Sequence, residues 1–143
     1  MFRQIRPEFS VAPQIAVEDV AAAKAQGFAL IVNNRPDGEE PAAPQGDDIA
    51  AAAAAAGIAY VAIPVSHAGF SHPQIDALSA ALADAQGPVL AYCRSGTRST
   101  NLWALARARA GDDPAALCAS AAAAGYDLAA IRPTLDMLAA QAQ

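Results

Sequence analysis

The chain has 143 residues, the size of one ordinary domain. Hydrophobic residues make up 55% of it, so a core can be buried, but much of that share is alanine and the side-chain layers will be thin. A net charge of −5 excludes a basic face for non-specific nucleic-acid binding, and Gly, Pro or charge interrupts every alanine-rich run before it could span a bilayer.

In chain order, Phe9–Ala12 alternates and reads as a short strand. Val17–Gln26 reads as a helix stopped by Gly27, and Phe28–Asn33 is a continuous apolar run typical of a buried parallel strand. A turn-rich loop, Asn34 to Pro41, follows. Asp47–Ala56 is a helix with acids at its start and Gly57 at its end; its run Ala50–Ala56 suits close packing on a sheet. Ile58–Val65 is a further strand, ending near Pro64. Ser71 caps a helix from His72 to about Ala85, with Pro73 in its first turn. Val89–Tyr92 is a short buried strand, and Ser99–Ala110 is a helix stopped by Gly111. Asp113 starts another helix that runs to Ala124, and Asp127 starts a last one, broken at Pro133. Strands alternate with helices as far as Cys93, and only helices follow. That order predicts an α/β fold: a three-layer, mostly parallel four- or five-stranded sheet flanked by helices, with a helical C-terminal tail and no strand after Arg98. A single domain over residues 1–143 is expected, soluble and cytoplasmic, because the N-terminus lacks a signal-like apolar run. Cys93 and Cys118 are then expected to be reduced thiols.

The segment Cys93-Arg94-Ser95-Gly96-Thr97-Arg98-Ser99 lies between a strand and a helix, at a strand's carboxyl end, where open α/β sheets bind ligands. Backbone N–H groups of such a loop form an anion nest, and the following helix aims its positive end at the same point. Gly96 permits the turn, and Arg98 offers a planar fork for two oxygens of a tetrahedral oxyanion. A positive field of this kind favours a thiolate, so Cys93 is the candidate nucleophile and Ser99 a candidate donor to its sulfur. Residues Arg94, Ser95, Gly96 and Thr97 are candidate anion-binding residues. Arg35 heads the loop after a buried strand; it either approaches the anion or braces the Cys93 loop, or else pairs with Glu39 or Glu40 at the surface. His72, Trp103 and Cys118 read as a first-turn residue and two core residues.

Together with Ser10-Val11-Ala12-Pro13-Gln14 and Asn34-Arg35-Pro36-Asp37-Gly38-Glu39, the Cys93 loop makes nearly the whole chain resemble the beta-lactamase-hydrolase-like protein, phosphatase-like domain family. That family is related to protein tyrosine and dual-specificity phosphatases, and some members are fused to a metallo-β-lactamase-type domain. The resemblance implies a protein-tyrosine-phosphatase-like fold, Cys93 as nucleophile, Arg98 as the oxyanion-binding arginine and residues 94–98 as the cradle. Two departures matter. Four residues separate Cys93 from Arg98, one fewer than in those phosphatases and a spacing often found in rhodanese-type sulfurtransferases. The loop that carries their aspartate general acid has none here; His67 and Asp37 are the candidate acids.

The leading expectation is therefore a hydrolase of phosphate monoesters working through a phosphocysteine. A sulfurtransferase carrying a Cys93 persulfide, and an anion-binding module without turnover, are the alternatives. Neither a cofactor nor a metal is expected. The partner is a small anionic or phosphorylated substrate, or else a thiol or persulfide.

Overall fold

The computed structural model describes residues 2–66 and 68–142. Its elements are β1 (Arg3–Arg6), β2 (Phe9–Ala12), α1 (Val17–Ala25), β3 (Leu30–Asn33), α2 (Gly46–Ala56), β4 (Ala59–Ala62), α3 (His72–Asp84), β5 (Val89–Tyr92), α4 (Thr97–Arg109), α5 (Pro114–Ala123), a 3₁₀ turn at Ala129–Ile131, and α6 (Arg132–Gln141).

The strands form one sheet in the order β1-β2-β5-β3-β4. β2, β5, β3 and β4 are mutually parallel, and β1 adds antiparallel at the β2 edge. The pleat sends alternate side chains to opposite faces. Val11, Val32 and Ala91 join the larger core with residues of α3, α4, α5 and α6, including Leu78, Leu102, Leu117 and Leu135. Ile31, Leu90 and Tyr92 point the other way, to Val20 and Ala23 of α1 and Ile49 and Ala53 of α2. The alanine run of α2 gives that helix a stripe: Ile49 and Ala53 are buried, and Ala52 and Ala56 flank them against the same cluster. Helix α4 is buried along most of its length; Trp103 is 1% exposed and stacks on Phe9 with ring centroids 5.6 Å apart.

Several boundaries differ from the sequence expectations, each for a local reason. β1 reads Arg-Gln-Ile-Arg and carries no apolar run; it is a strand because β2 pairs with it. Helix α4 begins at Thr97 rather than Ser99, because Gly96 takes a left-handed φ of 93° and already serves as the cap. Arg98 and Ser99 therefore sit in the first helical turn. Pro133 does not break the last helix; it occupies its first turn, where a missing N–H costs nothing. Among the described residues no strand follows β5, and Cys93 and Cys118 are both free thiols. No helix among them is long and apolar enough to cross a membrane.

Because β5 lies between β2 and β3, the chain must pass over it to reach β3. The carboxyl ends of β2, β5, β3 and β4 thus open on one rim, which is where such sheets hold their ligands.

Candidate active site

Cys93 follows β5 directly and is 0% exposed. Its Sγ accepts the backbone N–H of Gly96 at 3.1 Å, so the loop curls over the sulfur. The turn is braced from outside. The Gln14 N–H donates to the Arg94 carbonyl at 3.2 Å, and the Thr100 hydroxyl and N–H both donate to the Gly96 carbonyl, at 2.8 and 2.9 Å. Tyr126, on the helical tail, donates its hydroxyl to the Ser95 carbonyl at 3.0 Å. Burial pushes that phenol's pKa up, which keeps it a donor. A Cβ on Gly96 would collide with the Tyr126 hydroxyl and would also have to adopt a left-handed conformation. The N-terminal turn of α4 begins at this loop and turns the positive end of the helix toward it.

Arg98 does not hang free over the loop. Nη1 donates to the Val65 carbonyl at 2.7 Å and to Glu39 Oε2 at 2.7 Å, and Nη2 donates to Glu39 Oε1 at 2.9 Å. Glu39 Oε1 also accepts Arg35 Nε at 2.9 Å, and Arg35 Nη1 donates to Gln14 Oε1 at 3.0 Å. The Arg98 hydrogen bonds, opposed by burial and helped by Arg35, hold the Glu39 carboxyl at a pKa of about 2. Asn34, fully buried, pins the rim beneath this network. Its N–H reaches the Tyr92 carbonyl, its carbonyl accepts the Val65 N–H, and its side-chain amide donates to the Ile63 carbonyl.

The structure thus brings Cys93, Arg98, Gly96 and Arg35 to one rim. Arg35 pairs with Glu39, as one reading of it expected, and through Glu39 it reaches Arg98. Ser99 is buried, but its hydroxyl has no hydrogen-bond partner among the described residues; Gly96 supplies the N–H to the sulfur instead. Ser95 Oγ bonds to Thr97 Oγ1 at 3.0 Å, and Arg94 is exposed. Asp37 is engaged elsewhere: its Oδ1 accepts the Gly46 N–H at 2.8 Å, at the N-terminus of α2. His67 lies outside the described residues. Sequence reasoning gave Tyr126 no place and assigned no role to Gln14 or Asn34, although both lie in the motifs that carry the family resemblance. Glu39 was expected only as a surface partner of Arg35, and its bond to Arg98 was not foreseen. A wider groove of about 790 Å³, lined by Pro7, Phe9, Leu82, Pro88 and Trp103, lies at the amino ends of the strands, away from this rim.

Residues 1–110 match the model of the family described as beta-lactamase hydrolase-like protein, phosphatase-like domain. The chain belongs to this family. A beta-lactamase hydrolase-like protein of Agrobacterium fabrum is 41% identical over 105 residues, which is 73% of this chain and 24% of that protein; the chain spans about a quarter of its relative's length. A solved structure of a candidate phosphatase from Neisseria meningitidis is 30% identical, with a TM-score of 0.83, over 95% of this chain and 96% of that one. The structure of Tk-PTP in its active form superposes with a TM-score of 0.74 at 15% identity, over 98% and 97% of the two chains. The fold is that of the protein-tyrosine-phosphatase-like phosphatases, including the helical tail. Family and fold are both phosphatase-like.

Proposed function

We propose that this domain hydrolyses phosphate monoesters through a phosphocysteine on Cys93. The observation that carries the reading is the closed loop: the Gly96 N–H on the Cys93 sulfur, the start of α4 behind it, and the Arg98 guanidinium beside it. In the first step the Cys93 thiolate attacks phosphorus. An S–P bond forms, the P–O bond to the leaving group breaks, and that oxygen departs with the electron pair. In the second, water attacks phosphorus and loses a proton, the S–P bond breaks, and inorganic phosphate leaves with the thiolate restored. The loop N–H groups and Arg98 stabilise the equatorial oxygens in both steps.

Neither nearby carboxyl group is set up to protonate the leaving oxygen. Asp37 accepts the Gly46 N–H, and Glu39, with its pKa held at about 2, is ionised at neutral pH. General-acid assistance is typically worth roughly 10²–10⁴-fold, so substrates whose leaving groups need little protonation are favoured. Aryl phosphates should turn over faster than alkyl phosphates.

One observation favours a second reading, sulfur transfer through a Cys93 persulfide. The four-residue spacer makes a small cradle, and passing sulfane sulfur between thiols needs no general acid. Both activities are to be assayed on one preparation, with Cys93→Ser as the blank. Aryl-phosphate hydrolysis well above the blank, without transfer from thiosulfate to cyanide, supports the hydrolase. The reverse result overturns it, and silence in both assays points to an anion-binding module.

A further inference from the structure

A guanidinium carries five N–H bonds in one plane. Those of Arg98 are divided unevenly. Nη1 uses both of its hydrogens, for the Val65 carbonyl and Glu39 Oε2, and Nη2 uses one for Glu39 Oε1. Glu39 therefore occupies the end of the fork. The Nε–H and the second Nη2–H are left, and these two point in parallel from the long edge of the group, the geometry that grips two oxygens of a phosphate or sulfate. The guanidinium lies close enough to Cys93 for the sulfur to perturb it.

The clamp on Arg98 is itself clamped. Arg35 Nε holds Glu39 Oε1, Gln14 Oε1 holds Arg35 Nη1, and the Gln14 N–H holds the Arg94 carbonyl in the Cys93 loop. The contacts form a ring that leaves the loop at Arg94 and returns to it at Arg98. In this arrangement both Nε and Nη1 of Arg35 already face protein acceptors.

We propose that Glu39 and Arg35 are a positioning pair: Glu39 orients Arg98 so that its Nε/Nη2 edge meets the oxyanion, and Arg35 acts through Glu39 rather than on the substrate. The proposal rests on the anion-binding loop of the reading above but not on turnover. It predicts a sign opposite to that of simple charge. Removing a carboxylate beside an anion site should strengthen anion binding if Glu39 only repels or blocks. If Glu39 positions Arg98, binding should weaken.

The test is sulfate affinity, read from the rise of the thermal midpoint with sulfate concentration, which needs no catalysis. Glu39→Gln should weaken sulfate binding by about tenfold, within the coupling expected for residues in direct contact. Glu39→Asp, which keeps the charge on a shorter arm, should weaken it in the same direction and serves if the first variant folds poorly. In an Arg98→Ala background, Glu39→Gln should change nothing further. Arg35→Gln should weaken sulfate binding in the unmodified protein and add nothing once Glu39 is Gln. Unchanged or tighter binding in Glu39→Gln overturns the proposal, as does absence of sulfate binding by the unmodified protein. A further loss from Arg35→Gln in the Glu39→Gln background would make Arg35 a direct anion ligand and overturn its half. Sulfate binding that follows this pattern without aryl-phosphate turnover would sink the hydrolase reading alone.

Discussion

Two places in the molecule solve the same problem with the same groups. At the rim, Glu39 takes one arginine from its own loop and one from the first turn of α4, Arg98. Beyond the far end of α4, Asp112 takes Arg6 from β1 and Arg107 from the last turn. Arg107 lies nine positions after Arg98 on the helix, roughly 14 Å of rise. Each cluster fastens segments that are distant in sequence, and in each the arginines lower the carboxyl's pKa. They differ in which edge of the helix arginine is used. Arg107 gives its Nε/Nη2 edge to Asp112, at 2.9 and 3.2 Å. Arg98 gives Glu39 its Nη1/Nη2 end and keeps the Nε/Nη2 edge. Arg6, the second cation at Asp112, lies 5.2 Å over the Trp103 ring, against apolar surface. An ion pair that closes both partners is a fastening, and one that leaves a parallel pair of donors beside a cysteine loop is the beginning of a site.

The sharpest way to break this comparison is to remove the two helix arginines in turn. Arg98→Ala should cut aryl-phosphate turnover by about 10²–10³-fold, the usual cost of losing one oxyanion donor. Arg107→Ala should leave the rate per folded molecule unchanged. Steady-state rates on one substrate check both, and a comparable loss from Arg107→Ala would erase the distinction.

A smaller effect is expected on stability, with the ranking reversed. Asp112→Asn should lower unfolding free energy by about 1 kcal/mol, the upper range for a partly exposed ion pair, and should leave sulfate affinity alone. Urea denaturation with and without sulfate separates the two readouts. A change in sulfate affinity in this variant would show that the clusters communicate.

The smallest effect is in the pH dependence. Glu39 has a folded pKa of about 2, below its ordinary 4.5. A depressed carboxyl pKa stabilises the fold above the unfolded value and loses that contribution as pH falls through the folded one. The Glu39 contribution is therefore complete above about pH 4.5 and gone below about pH 2. Acid unfolding of the unmodified protein and of Glu39→Gln should differ most above that window and converge at its lower end. Carboxyl-carbon NMR should show Glu39 ionised at pH 3.5; a titration midpoint near its ordinary value would mean that the cluster does not persist in solution.

What could be seen in the sequence was whatever is decided over a few neighbouring residues. The apolar run Val89–Tyr92 had to be a buried strand, and Gly96 with Arg98 after Cys93 had to be a turn leading to a helix start. The order of strands and helices limited the sheet to a mostly parallel one with a helical tail. Other features depend on partners far along the chain. Arg-Gln-Ile-Arg becomes β1 only because β2 offers an edge, and Asp37 becomes a cap only because α2 starts beside it. Glu39 meets Arg98 across 59 positions, and Tyr126 reaches the Ser95 carbonyl across 31. Backbone propensity and hydrophobic period act within a turn or a strand and so can be read locally. An ion pair or a hydroxyl contact between distant segments depends on where packing brings the two chains together, and only the tertiary structure decides that.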